Sequence, residues 1–399
     1  MGCDLVVALD AATVAGRTIV GANHFGPGAA ALELCVLSAK VHTPGENVSH
    51  PRVKIAEVRQ TARVLGWQAP GSWGMSFGVN EHQLTVGLTT WKSRIAPPAE
   101  GLHGPDLVRL ALERGTSARL GAEILCELIE RHGQSAAQED HVFMIADAHE
   151  AFVIEAAGTH WALLQCQSSR AISDVALIRQ DWHRLSRGLS DFAIQQGWCQ
   201  NDGAKINFQS SVADPNRSSP TGLKRWSRAS LALAQQEGAI DHYCLRRLLL
   251  EHFDQCQDLM PRHQAWQGTH IVSLANDAPA IAWTSPAYLG VPLFFPLVPA
   301  APIPGIWMEG LPMLNRPWMR EESRHTAIQD RLQALFDQEA EDFLLKARAL
   351  HDRPNEQVQL GQEMMARHME LYLHECSSPR PQKVTTSAQP DAMLAFVSE

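Results

Sequence analysis

The spacing of apolar residues switches between two periods along this chain, and the switching limits the folds open to it. Residues 4–9 (DLVVAL) and 18–21 (TIVG) are short β-rich runs on either side of the turn-like DAATVAGR, which predicts a hairpin. VKIAEV is a further strand candidate, and SWGMSFGVNEHQLTVGLTTW predicts a second hairpin turning at Asn80-Glu81-His82. The period then lengthens. In GPDLVRLALERGTSARLGAEILCELIERHGQ, Leu107, Val108, Leu110 and Ala111 share one helical face. After a break at Gly115-Thr116, Leu120, Ile124, Leu125, Leu128 and Ile129 share another. This predicts an αα-hairpin with Thr116 as N-cap and Gly133 as the C′ residue.

Strands return in HVFMIADAHEAFVIEAAGTHWALLQC, whose three apolar runs predict a meander. RWSRASLALAQQEGAIDHYCLRRLLLEHFD is helical again, and GTHIVSLANDAPAIAWTSPA predicts one more hairpin. The Pro-dense VPLFFPLVPAAPIPG is expected to be an extended crossing loop. Two helical blocks interleaved with two groups of antiparallel strands predict a layered α+β domain rather than a doubly wound α/β one. Residues 318–375 are helix-rich and charged, with Pro354 breaking the pattern, and the polar residues 377–399 are expected to be disordered.

Composition removes several functional classes. A net charge of -9 over 399 residues argues against a nucleic-acid partner. No apolar run approaches the roughly 18–20 residues of a membrane span, and no basic segment precedes the first apolar stretch as in a signal peptide. Val6 breaks the myristoylation pattern that Gly2 would open. The eight cysteines are scattered singly, which reads as reduced thiols in a cytoplasmic protein. Despite 18 histidines there is no HExxH and no zinc-type spacing, and neither GxGxxG nor GxxxxGK[ST] occurs, so no metal or organic cofactor is expected. A GxSxG nucleophile elbow is also missing.

Cys3 remains, at the head of the first strand. A cysteine at a true N-terminus needs no separate histidine, because its own α-amino group titrates near neutrality (roughly 7.7–8.0) and is already within reach of the thiol. That chemistry requires removal of Met1 and Gly2, the second cut being expected to be autocatalytic. The competing reading is a small buried hydrophobe at the start of a core strand.

From WGMSFGVNEH onward the chain resembles the secernin family, relatives of the cysteine dipeptidases and more distantly of penicillin V acylase and bile salt hydrolase. The blocks GPDLVRLALERGTSA, LIERHGQ, MIADAHEAFVIEAAGTHWA and LSDFAIQQGW carry the resemblance. With the N-terminal block and LRRLLLEHFD they follow in family order over most of residues 1–255. The resemblance implies an N-terminal-nucleophile (Ntn) hydrolase fold, a four-layer αββα sandwich spanning 1–317, with residues 318–376 as a helical extension packed on it. It also implies a thiol hydrolase or dipeptidase that opens the amide C–N bond of a small amide or dipeptide through a thioester on Cys3.

Asn80 and Asn23 are the candidate oxyanion donors. Arg17 in the first hairpin, and Arg225 with Arg228 at i, i+3, are candidate substrate contacts; a turn-exposed arginine and a solvated helix face are the alternatives. Glu155 lies in an apolar run and is expected to pair internally. The sequence departs from the family at Phe25, Ala22, Leu88 and Asp174, where relatives carry other polar or charged groups. Those departures keep a second reading open, a catalytically degenerate binding or assembly protein; self-association into a homo-oligomer is open in either case.

Overall fold

The computed structural model describes residues 2–27, 32–98, 100–134, 139–217, 219–256, 264–286, 292–310 and 322–377. The first hairpin forms as expected, from β1 (Gly2–Ala8) and β2 (Thr18–Pro27), paired antiparallel from Gly2↔Phe25 to Ala8↔Ile19. It sits inside a six-stranded sheet. β12 (Ser169–Ile172) flanks β1, and β14 (Gln264–Leu274), β15 (Ile281–Pro286) and β16 (Phe295–Leu297) follow β2.

A second, eight-stranded sheet takes the order β13-β11-β10-β9-β8-β7-β6-β3. Its members are β3 (Glu33–Leu37), β6 (Val64–Gln68), β7 (Phe77–Asn80), β8 (Thr85–Trp91), β9 (Asp140–Ala146), β10 (Ala151–Ala157), β11 (His160–Gln165) and β13 (Arg184–Leu185). The small pair β4 (Lys40–Val41) and β5 (Gln60–Thr61) stands apart. All strand pairs within these sheets are antiparallel.

The sheets face one another. Leu5 of β1 points at β8, where the bare Gly87 makes room: a Cβ on Gly87 would lie 2.3 Å from Leu5 Cδ2. Close approach of this kind is one use of glycine in a strand. Because strand side chains alternate, Cys3 and Val7 share that inter-sheet face with Leu5 while Asp4 and Val6 look outward. Helices cover both outer faces. α1 (Gly104–Arg114) and α2 (Ala118–His132) lie on the eight-stranded sheet, and α5 (Pro220–Gln235) and α6 (His242–Cys256) lie on the six-stranded one. The short α3 (Leu189–Gln195) and α4 (Phe208–Val212) belong to the connection from β13 to α5. The result is the expected α+β sandwich of layers αββα, with one hydrophobic core that fills the space between the sheets and continues under α5, α6 and the C-terminal helices, and a second between the eight-stranded sheet and α1–α2.

Beyond β16, α7 (Gly305–Gly310), α8 (Glu322–Ala349) and α9 (Pro354–Ser377) form the helical C-terminal part. Phe295 of β16 meets Trp307, Phe336 and Tyr372 from those three helices in turn. Pro354 opens α9, where its missing N–H costs nothing. Residues 318–321, and the tail beyond Ser377 that is expected to be disordered, lie outside the described residues.

Several local expectations are corrected. VKIAEV is not a strand; within it Ala56 makes a single bridge to Asn47. The N-cap of α2 is Ser117, not Thr116, its Oγ accepting the Leu120 N–H; Gly133 does close the helix, at φ 67°. The Pro-dense segment is not all loop, since Phe295–Leu297 forms β16.

Candidate active site

The site grows from one irregularity in the ladder between β1 and β12. Their register runs from Ala8↔Ser169 to Leu5↔Ile172, and β12 then ends. Two steps further along the same register, Asp174 would stand opposite Cys3. Among the described residues no backbone carbonyl completes the ladder there. The Cys3 backbone N–H instead meets two side-chain oxygens, Thr89 Oγ1 at 3.1 Å and Asp174 Oδ1 at 3.2 Å. The Thr89 hydroxyl in turn donates to Asp174 Oδ1 at 2.8 Å.

A buried ion network backs this corner. Arg225 of α5 reaches through the outer face of the six-stranded sheet to Asp4, Nε lying 2.9 and 3.1 Å from its two carboxylate oxygens. The other end of the guanidinium, Nη2, bonds Asp174 Oδ2 at 2.5 Å. Ser173 Oγ donates to Asp4 Oδ1. Asp4 and Arg225 are buried, whereas the Asp174 side chain keeps a fifth of its surface open. Burial works against the Arg225 charge, but Asp4 and Asp174 outweigh it and hold the guanidinium firmly protonated. Burial pushes the Asp174 carboxyl above its ordinary range, with Arg225 pulling the other way.

The Cys3 thiol is itself buried, 1 % exposed. Burial first, then Asp4 and Asp174, raise its pKa well above the ordinary thiol value, while Arg225 and the Asn23 backbone N–H pull it down. The sulfur is not walled in by hydrocarbon alone: it lies 3.7 Å from the Asp4 carbonyl oxygen. While its nitrogen remains in a peptide bond, the thiol is held in its unreactive protonated form.

Across the inter-sheet face, His24 is the cross-strand partner of Cys3. Neither of its ring nitrogens has a hydrogen-bond partner among the described residues, and burial lowers its pKa to about 3, so the ring is neutral. It lies against Phe77 and His270, the latter stacked on Trp67 at 4.1 Å.

No family model matches the chain. Among solved structures, it is similar to a mutant of the conjugated bile acid hydrolase from Clostridium perfringens, at 11 % identity, 75 % of this chain, 92 % of that chain and a TM-score of 0.44. It is also similar to the Caenorhabditis elegans ortholog of N-acylethanolamine-hydrolyzing acid amidase, at 11 % identity, 75 % of this chain, 94 % of that chain and a TM-score of 0.33. At such distances the residue roles rest on this chain's own geometry.

The structure brings Cys3 and Arg225 together and disperses the other expected site residues. Asn80 is spent on the β7–β8 turn. Its Nδ2 donates to the carbonyls of Leu112 and Gly115, and its Oδ1 accepts from the His82 and Leu84 N–H groups. The Asn23 side chain shares the outer face with Asp4, bonded to the Leu249 carbonyl, Thr269 and Trp266. Arg17 stands at the opposite end of the β1–β2 hairpin, buried against Ser273 and the Pro279 carbonyl. Arg228 is exposed, so the pair at i, i+3 splits between interior and solvent.

Leu88 faces α1 and α2 in the second core; the next residue, Thr89, faces Cys3. Thr89, Asp4 and Ser173 are the site residues that sequence reasoning missed. A signal existed for one of them: Asp4 is a charged residue at the second position of an apolar core strand, where burial demands a partner.

Proposed function

We propose that the chain is a cysteine amidohydrolase whose nucleophile is Cys3 and whose base is the Cys3 α-amino group, freed by removal of the residues ahead of it. The observation carrying this reading is the pair of oxygens, Thr89 Oγ1 and Asp174 Oδ1, converging on the Cys3 nitrogen. A peptide N–H has one hydrogen to share between them. An ammonium has three, and a neighbouring carboxylate suits its charge. The ordered blocks shared with the secernin family support the same reading.

In this mechanism the free amine takes the thiol proton, and the sulfur attacks the carbonyl carbon of a small amide or dipeptide. The C–N bond breaks as the leaving nitrogen receives that proton, leaving a thioester on Cys3. Water then attacks the thioester with the amine as base, releasing the carboxylic acid and restoring the thiol. Arg225 neutralises Asp4 and Asp174 so that they do not repel the thiolate. No metal or organic cofactor enters these steps.

Freeing the amine also changes the thiol. A positive charge on its own Cα lowers its pKa, opposing the burial that holds it up. The test is turnover of a panel of dipeptides and small acyl amides by the wild type and by Cys3→Ala. Release of free amine by the former and none by the folded variant supports the reading. A second reading, a binding or assembly role without catalysis, is favoured by the burial of the sulfur; no turnover by the wild type would favour it.

A further inference from the structure

We infer that Glu155 is a positioning residue for this site: it holds the segment that carries Asp174 up to Cys3. The inference rests on the reading of the Cys3 corner above and extends it to a residue that touches none of the reacting atoms.

Glu155 is fully buried in β10, where the alternation of β10 turns it toward the space between the sheets. Its neighbours Val153 and Ala157 belong to that inter-sheet core, while Ile154 and Ala156 pack toward α2. A carboxyl group there needs donors, and it finds them in one place. Oε1 accepts the Leu177 and Ile178 N–H groups, and Oε2 lies 3.0 Å from the Ile178 nitrogen. The segment between Ile172 and Ile178 therefore leaves β12 at one end and docks on Glu155 at the other. The Ile178 carbonyl adds a bond from the Gln209 N–H at the start of α4.

Within that tethered span, Ser173 donates to Asp4 and Asp174 takes both the Cys3 N–H and the Thr89 hydroxyl. The span has no ladder partner of its own opposite Cys3. Its hold on the Cys3 nitrogen depends on where its ends are fixed, and Glu155 supplies two of the fixing bonds. The reach from Glu155 to Cys3 thus runs through four backbone positions rather than through a direct contact.

The test is a double-variant cycle on the full chain, read by the pH midpoint at which iodoacetamide labels Cys3. Asp174→Asn removes a negative charge from beside the Cys3 nitrogen and sulfur. The midpoint then falls, on the order of one pH unit, whether an α-amine or the thiol alone is being titrated. If Glu155 positions Asp174, Glu155→Ala lowers the midpoint in the same direction, and adding Asp174→Asn to it changes little more. Glu155→Gln keeps one acceptor oxygen and recovers part of the wild-type midpoint; it also carries the cycle should the alanine variant fold poorly.

A full Asp174→Asn shift persisting in the Glu155 variants would overturn the inference, because Asp174 would then reach Cys3 without the anchor. Failure of the hydrolase reading shows itself separately, as Gly2 retained in the intact mass, and leaves this coupling unchanged.

Discussion

Asp174 meets Cys3 at the register position where β12 should have continued, and gives the cysteine nitrogen a carboxylate oxygen in place of a ladder carbonyl. A strand ladder satisfies an N–H as well as a side chain does. The substitution makes physical sense where the nitrogen is to carry charge, since a carboxylate stabilises an ammonium far better than a peptide carbonyl does.

Thr89 is the second acceptor, and its removal separates chemistry from stability. Thr89→Val keeps the shape of the side chain and loses one hydrogen bond to the Cys3 nitrogen and one to Asp174. Stability is expected to fall by about 1 kcal/mol, and Cys3-dependent turnover by about tenfold. Urea unfolding and initial rates measured on the same preparation check both numbers. A turnover equal to wild type would remove Thr89 from the site.

Arg225 is held for the opposite reason. It is buried between two carboxylates, so Arg225→Ala leaves Asp4 and Asp174 facing each other without a counter-charge. The expected loss of stability is about 3–5 kcal/mol, most of it recovered when Asp4→Asn is added. Chemical denaturation of the single and double variants measures the recovery; none would mean that Asp4 is not its main partner.

Asn80 has no capacity left for a substrate oxygen, with four backbone groups on its side-chain amide. Asn80→Ala should cost about 1–3 kcal/mol through those buried backbone groups. The pH midpoint of Cys3 labelling should stay where it is in the wild type. Thermal unfolding and iodoacetamide labelling give the two halves of that result.

Glu155 also makes a pH prediction with a definite sign. Burial, opposed by the Leu177 and Ile178 N–H groups, raises its carboxyl from 4.5 to about 7; the Arg170 charge pulls it down and Asp181 pushes it up. Between those values the folded chain keeps a proton that the unfolded chain has already lost. This contribution to stability is therefore complete below about pH 4.5 and is lost as the pH rises to about 7. Glu155→Gln should flatten the stability curve across that window relative to wild type, as read by urea midpoints at stepped pH.

The layers of the fold were legible because apolar periodicity reports which face of an element is covered. DLVVAL, HVFMIA and AFVIEAA announce their strands, and the faces of α1 and α2 announce the helices that cover them. β3, β6, β12 and β13 escaped. They are edge or near-edge strands of two to five residues, short enough that pairing rather than pattern decides them.

At the site, Cys3 could be picked out by its place at the head of a strand, and Arg225 by its charge on a helix. Thr89 could not, because a threonine in a β-strand is ordinary and a shift of one residue turns the face it presents. Its neighbour Leu88 faces the second core instead. Asp174 was visible as a departure from the pattern of the family the sequence resembles, but its role depends on β12 ending two residues earlier, which only the register reveals.

The account stands or falls on the nitrogen of Cys3. Intact-mass measurement of the purified protein, before and after exposure to an acylating amide analogue, addresses it directly. The account predicts a chain that begins at Cys3 and gains one acyl group, with no gain in Cys3→Ala. A chain that keeps Gly2 and takes up no acyl group at Cys3 would contradict it.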